Sequence, residues 1–427
     1  MTNPLTYPFN EQQPLSKAQE KWQDKDDSWK HKLEFSKSQK IHEIVNLGLS
    51  YFNNELCASY YIGIDWIKTK EEQQDYTKYL IVHPKIEIDY IGMFVHCLKH
   101  LEISKFLKET YHFDFKKTAI PITDFDCELT PFMIVHFLSL VDKITKQGLK
   151  KNYIVVEENL NSKIKGKIKF SQQLKKNITV KREDRVYCHF QEYGVDCLEN
   201  RLLKKAMIFI QRYSNHHLTQ YKELIQKENR LLSYFDNISE EISYSEIKRV
   251  KVNALYKEYV EAIDLAKKIL QRFGYSYKKA DARTIDKALP PFWIDMSKLF
   301  ELYVYSLLKE EYKDCHIEYQ KGTKNQIPDF LFVSDNEKMI LDTKYKPQYK
   351  TNSPEIEDVR QLSGYARTVK IREKLSIKDE TTIVDCVIIY PDDEKSNNFI
   401  GRKLKEEKID GFTKFYKIGM KLPIKIL

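Results

Sequence analysis

Ile327-Pro328-Asp329-Phe330 is followed, thirteen residues after its aspartate, by Leu341-Asp342-Thr343-Lys344. The architecture of the C-terminal third follows from how these two segments pair. Leu331, Phe332 and Val333 are strand formers, Ser334-Asp335-Asn336-Glu337 is turn chemistry, and Met339, Ile340 and Leu341 resume a strand. The pattern predicts a hairpin with Val333 and Lys338 flanking the turn, which sets Asp329 opposite Asp342. Side chains alternate along a strand, so Asp342 and Lys344 share one face and Thr343 points away. Directly opposed side chains lie about 4.5–5.5 Å apart, close enough for one divalent ion to bridge two carboxylates. The plainer reading is a Pro-Asp turn beside a solvated Asp-x-Lys strand end.

Two carboxylates that close repel each other unless a cation lies between them. Mg²⁺ prefers oxygen ligands, keeps several waters and takes one or two protein carboxylates. The Thr343 backbone carbonyl offers a further oxygen, and Mn²⁺ is a chemically similar substitute. Such an ion polarises a scissile phosphate and eases proton loss from an attacking water. Lys344 then either orients that water or neutralises charge building on the phosphate.

The flanks favour the catalytic reading. Gln361 and Tyr365 are four residues apart, hence on one helical face, as are Arg360 and Gly364. A glycine there lets the helix approach another backbone or DNA. Upstream, Met296 to Leu308 reads as an amphipathic helix that sets Glu301 among apolar residues. Glu301 is either a solvated flank or a third acid aimed at the metal, and the hairpin that follows favours the second.

Together Pro328-Asp329, Asp342-x-Lys344 and Gln361-x-x-x-Tyr365, with Glu301 on the preceding helix, resemble the PD-(D/E)xK nuclease superfamily in its branch with a Gln-x-x-x-Tyr helix. More of the chain resembles the McrC family, the nuclease subunit of McrBC-type modification-dependent restriction systems. That likeness is carried by His83-Pro84-Lys85-Ile86-Glu87-Ile88-Asp89, by Ile164 to Phe170 continuing to Asp196-Cys197-Leu198-Glu199-Asn200-Arg201, and by Phe292-Trp293-Ile294-Asp295-Met296 through Glu301. The first 45 residues or so lie outside it. The resemblance implies a C-terminal restriction-endonuclease-like α/β core. It also implies Mg²⁺-dependent cutting of double-stranded DNA, with Asp329, Asp342, Lys344, Glu301, Gln361 and Tyr365 in the catalytic set. Asp329, Asp342, Glu301 and the Thr343 carbonyl would hold the metal. The implied partner is an AAA+ GTPase ring that recognises modified DNA and translocates, docked by the N-terminal half. Self-association would serve double-strand cutting.

Composition agrees with a multidomain globular chain. At 427 residues it exceeds a usual single core, with 42% hydrophobic and 31% charged residues. The longest apolar run, Pro131 to Val141, is too short to span a bilayer and contains His136. No secretory signal is expected from Met1-Thr2-Asn3-Pro4. The seven scattered cysteines form no Cys-x-x-Cys pair and read as reduced thiols of a cytoplasmic protein. Cys188 and His189 are adjacent, which is poor spacing for zinc. No Gly-x-x-x-x-Gly-Lys-Ser/Thr stretch is present, so the chain itself is not expected to bind or hydrolyse nucleoside triphosphate.

Net charge is +9. Residues 143–185 hold thirteen lysines and arginines against Glu157, Glu158, Glu183 and Asp184. Lys163, Lys165, Lys167 and Lys169 alternate with apolar or small residues, predicting a strand with a basic face. Such a face gathers phosphates without reading sequence, or protects a strand edge from aggregation. Arg360 and Arg367 are further candidate DNA contacts.

The expected organisation is α/β and α+β multidomain. A polar lead covers residues 1–45, a helix or a mobile segment. A β-rich mixed domain that docks the partner covers 46–150, basic strands and helices 151–290, and the nuclease core 291–427. Helices are predicted over Ile91 to Leu107, Pro131 to Gln147, Leu218 to Tyr234 and Leu255 to Phe273, the last ended by Gly274. Strands are predicted over Tyr60 to Ile67, Tyr79 to Val82, Thr382 to Tyr390 and Phe412 to Ile418. Two other functions fit the same residues: a self-sufficient restriction endonuclease, and a DNA-binding adaptor with an inactive nuclease core.

Overall fold

A computed structural model describes residues 5–21, 30, 33, 46–52, 54–68, 78–114, 117–118, 120–122, 129–253, 256–278, 287–289, 291–323, 326–396 and 399–424. The chain divides into two compact units, Met1–Asp126 with Asp286–Leu427, and Cys127–Ile285. This differs from the sequential partition expected above, and the reason is a strand exchange. Phe292–Asp295 inserts into an otherwise N-terminal sheet, antiparallel to both Tyr61–Trp66 and Tyr111–Phe113.

That five-stranded sheet has the order Leu5–Asn10, Lys78–His83, Tyr61–Trp66, Phe292–Asp295, Tyr111–Phe113. Its first pair is parallel. Leu5–Asn10 falls where a polar lead is expected. It is a strand because Tyr7 and Phe9 alternate into a core with Leu49, Leu56, Leu80, Val82 and Trp293. Most of the charged stretch from Lys21 to Lys32 lies outside the described residues. Gly63 has φ +144°, and a Cβ there would meet the Phe292 carbonyl oxygen at 2.1 Å. The glycine admits the inserted strand. The helix expected over Ile91 to Leu107 is broken into Tyr90–Cys97 and Leu101–Ser104.

The same unit holds a six-stranded sheet ordered His316–Tyr319, Phe330–Val333, Lys338–Thr343, Asp385–Pro391, Phe415–Met420, Glu407–Lys408. The predicted hairpin forms in the predicted register, with Val333 opposite Lys338 and Phe330 opposite Leu341. Ser334 N–H closes the turn on Glu337 O at 2.8 Å. Lys338–Thr343, Asp385–Pro391 and Phe415–Met420 run parallel. Parallel neighbours need a crossover, and the helix Ile356–Arg367 lies within the first one.

Alternation divides the two faces of this sheet. Leu331, Ile340, Cys386 and Ile388 pack with Val359, Leu362 and Tyr365 of that helix. Phe330 and Phe332 belong to the other face, where Tyr305 and Tyr312 meet them at ring distances of 5.5 and 5.1 Å. Tyr305 comes from the helix Met296–Glu311. The sheet is thus covered on both sides, as parallel strands require.

The second unit combines helices Leu129–Gln147, Leu198–His217, Lys222–Ser233, Tyr244–Arg249 and Lys257–Lys278 with a three-stranded antiparallel sheet. Gly148, at φ +94°, follows the first helix, which ends at Gln147 as expected, but Gly274 does not end the last one. Leu202, Leu203, Met207 and Ile210 make a buried stripe at helical spacing together with Ala206, while Leu198, at the same spacing, is exposed at the start of the helix. Buried Asn200 accepts from Tyr259 OH at 2.8 Å and donates to the carbonyls of Lys150 and Val195.

The lysine-rich segment 163–170 is not the continuous strand expected from its alternation. Only Lys167–Ile168 pairs, with Arg185–Gly194. Gly166, at φ +70° and pressed against His189 O and Phe190, turns the chain before that pairing. No described helix is long and apolar enough to cross a membrane.

Candidate active site

The carboxyl end of Lys338–Thr343 is where the chemistry collects, the usual place for a ligand in a sheet with parallel strands. Asp342 is 2% exposed. Lys344 Nζ stands 2.7 Å from its Oδ2 as an ion pair, yet that oxygen receives no aligned hydrogen bond. Burial pushes the Asp342 carboxyl up to about 8; the nearby Asp329 charge adds to this and Lys344 opposes it.

Asp329 lies one residue outside the last ladder pair, so its side chain can turn. Its Oδ2 accepts from Thr343 N–H at 2.7 Å and from Thr343 Oγ1 at 2.6 Å. Strand alternation alone would point Thr343 away. Its hydroxyl instead reaches Asp329, because that carboxylate rotates onto the strand backbone. Burial raises the Asp329 pKa against these two hydrogen bonds.

Glu301 sits on the middle of its helix, 8% exposed. Its Oε1 accepts from Lys298 Nζ at 3.2 Å and from Gln320 Nε2 at 2.9 Å. Burial, with the Asp329 charge second, pushes its carboxyl up to about 7. Glu301 is therefore in electrostatic reach of Asp329, but its own oxygen is already engaged.

Gln361 and Tyr365 form a relay on the crossover helix. Lys344 Nζ donates to Gln361 Oε1 at 2.9 Å, and Gln361 Nε2 donates to Tyr365 OH at 2.6 Å. Burial works against the Lys344 charge, but the Asp342 and Asp358 carboxylates hold its pKa above the ordinary lysine value. Arg360 and Arg367, on the same helix, are exposed. A Cβ added at Gly364 would come no nearer than 3.5 Å to Gln326, an ordinary packing distance.

Sequence reasoning missed Asp358. It precedes Gln361 by three residues and so shares its helical face. Its Oδ2 accepts from Lys346 Nζ at 2.8 Å and from Tyr349 OH. The Asp-x-x-Gln spacing was the available signal.

A cavity of about 390 Å³ opens beside these groups, lined among others by Tyr60, Asp295, Glu301, Thr343, Lys344 and Asp358. Asp329 and Asp342 do not line it; Thr343 and Lys344, which bind them, do. Among the described residues, no three His, Cys, Asp or Glu side chains stand close enough together to hold a metal ion. Mg²⁺ does not require three, since it keeps several waters. Asp342 Oδ2 is buried against the Lys344 ammonium, and a carboxylate oxygen already facing one positive charge is the kind such a cation takes up. The donor chemistry of Asp329 and Asp342 therefore fits Mg²⁺.

The second unit carries the basic candidates. Lys165 pairs with Glu192 at 3.1 Å and lies over the Phe190 ring, and Lys169 pairs with Glu157. Lys163 and Lys167 are exposed. Beside them Phe170, Leu174 and Ile178, spaced four residues apart, are 78%, 58% and 58% exposed. Six described cysteines are free thiols.

The chain is similar to two solved assemblies from Thermococcus gammatolerans. One is a half-complex of McrB AAA+ hexamers with bound McrC, at 17% identity and a TM-score of 0.37, covering 97% of this chain and 94% of that one. The other is the McrBC complex, at 15% identity and a TM-score of 0.30, covering 71% and 87%. Among curated proteins none matches. The family model described as McrBC 5-methylcytosine restriction system component matches residues 58–377, more than half of the chain. That span includes the hairpin, the Glu301 helix and the Gln361 helix, and the chain belongs to this family of McrBC 5-methylcytosine restriction system components.

Proposed function

We propose that this chain is the Mg²⁺-dependent DNA endonuclease subunit of an McrBC-type restriction complex, with a PD-(D/E)xK core. The observation that carries the reading is the convergence of Asp329, Asp342, Lys344, Gln361 and Tyr365 at one strand end beside a polar cavity. Asp329 and Asp342 would hold the cation, with the Thr343 carbonyl as a further ligand and Glu301 acting through Asp329. Bound there, Mg²⁺ supplies positive charge for the scissile phosphate and eases proton loss from the attacking water.

The protein's own groups do the rest. Lys344 lines the cavity and presents its ammonium to a phosphate oxygen or to the incoming water. Gln361 fixes that ammonium, and Tyr365 fixes Gln361. Lys344 neutralises Asp342 in the metal-free site, so a cation held by Asp342 would take the place of the ammonium at Oδ2. Arg360, Arg367, Lys163 and Lys167 supply exposed positive charge for the DNA backbone. Membership of a family of McrBC restriction system components supports an AAA+ GTPase ring as the partner that recognises modified DNA. The exposed Phe170, Leu174 and Ile178 stripe beside those lysines is the candidate docking face.

The test is cleavage of methylated and unmethylated DNA with Mg²⁺, with and without a McrB-like GTPase. Asp342→Ala and Lys344→Ala should abolish cutting while leaving folding and complex assembly intact. Cutting that survives both substitutions would overturn the proposal. Efficient site-specific cutting by the chain alone would show that no partner is needed.

A further inference from the structure

Lys344 faces a second carboxylate besides Asp342. Asp358 Oδ1 stands 3.8 Å from Lys344 Nζ, too far for a hydrogen bond and near enough for an ion pair. Asp358 is only 8% exposed, yet it lines the cavity. Its other oxygen is clamped by the Lys346 ammonium and the Tyr349 hydroxyl. Tyr349 is itself fixed, since its OH accepts from Glu355 N–H at 3.0 Å and its carbonyl accepts from Lys417 Nζ at 3.0 Å. One oxygen is therefore held in place, while the other faces the ammonium at ion-pair distance and takes no hydrogen bond from the described residues.

We infer that Asp358 is a positioning residue for the Lys344 ammonium. If Asp342 held a cation, Lys344 would lose its nearest counter-ion at a largely buried position. A shift of about 1 Å brings it into hydrogen-bond range of Asp358 Oδ1. Gln361 Oε1, three residues further along the same helix, remains its second acceptor. The ammonium then stays on the cavity wall, where it meets the phosphate, instead of withdrawing to solvent. Two carboxylates would thus share one lysine, Asp342 in the metal-free site and Asp358 in a site that held the cation. This rests on the nuclease reading above, but it concerns a residue outside the Asp-x-Lys and Gln-x-x-x-Tyr motifs.

The test uses the full chain, with its GTPase partner where cutting requires one. Asp358→Asn keeps the shape and the clamp from Tyr349 while removing the charge. It should lower kcat at least tenfold, with KM for DNA within twofold and Mg²⁺ affinity within threefold of wild type. Asp358→Glu should recover part of the rate. Tyr349→Phe and Lys346→Met, which loosen the clamp but keep the charge, should each cost less rate than Asp358→Asn.

A readout independent of turnover is acetylation of Lys344, followed by peptide mass spectrometry. With Mg²⁺ present, labelling should quicken at least fivefold in Asp358→Asn, because the ammonium is no longer held. Three results would each overturn the inference: Asp358→Asn cutting at the wild-type rate, equal losses in the two clamp variants, or loss of Mg²⁺ affinity. Cutting retained by Asp342→Ala would defeat the nuclease reading itself, whatever Asp358→Asn does. Unchanged labelling in Asp358→Asn beside a dead Asp342→Ala defeats only the positioning role of Asp358.

Discussion

Asp342 is the residue on which the site's energetics turn. A carboxylate at 2% exposure, beside Asp329 and without an aligned donor on Oδ2, is destabilising when ionised. Asp342→Asn should therefore abolish cleavage, by on the order of 10²-fold or more. It should also raise the stability of the metal-free protein at pH 8 by about 1–2 kcal/mol, since each unit of pKa shift corresponds to about 1.4 kcal/mol. Urea titration of wild type and variant without metal checks this; a variant less stable than wild type would contradict it. Gain of stability with loss of activity marks a strained functional acid and not a structural one.

The elements position these residues through two glycine choices that make opposite predictions. At Gly63 the neighbouring strand leaves no room for a Cβ, which would sit 2.1 Å from Phe292 O, and the backbone is at φ +144°. Gly63→Ala should expel or displace Phe292–Asp295 from the five-stranded sheet and destabilise by about 2 kcal/mol or more, the size of a core backbone conflict. At Gly364 the nearest atoms are at ordinary contact distance. Gly364→Ala should stabilise the helix Ile356–Arg367 by up to about 1 kcal/mol, with cleavage unchanged. Thermal unfolding of both variants decides. A Gly364→Ala protein that folds normally but no longer cuts would support the close approach to DNA read from the sequence.

Across the whole molecule, the raised acids set a pH dependence. Asp342 and Glu301 are pushed up to about 8 and about 7 from ordinary values of 3.8 and 4.5, and Asp329 is raised as well. Groups whose folded pKa exceeds the unfolded one favour the folded state at low pH, and that contribution is lost as pH rises through the folded values. From these three groups, the stability of the metal-free protein should decline between pH 4 and pH 8. Added Mg²⁺ should reverse the trend, because a cation favours the ionised carboxylates, so its stabilising effect should be larger at pH 8 than at pH 6. Differential scanning calorimetry with and without Mg²⁺ measures both. Equal Mg²⁺ stabilisation at the two pH values would speak against a carboxylate site.

Much of the hairpin was legible from local chemistry. Alternating strand formers around Ser334 to Glu337 specify both the turn and the register, because a one-residue slip would turn every side chain to the wrong face. Gln361 and Tyr365 were legible for the same kind of reason, a helical spacing four residues apart. The lysine alternation at 163–169 misled, because Gly166 and the neighbouring acids, not periodicity, decide that backbone and its charge. Local residue order thus dictates the hairpin, its register and the helical face that meets it. Packing between distant segments dictates that Phe292–Asp295 completes an N-terminal sheet, that Asp329 turns onto Thr343, and that Asp358 stands behind Lys344. Each of these is a contact between residues far apart in the chain or turned out of strand alternation, and no periodicity within one segment encodes it.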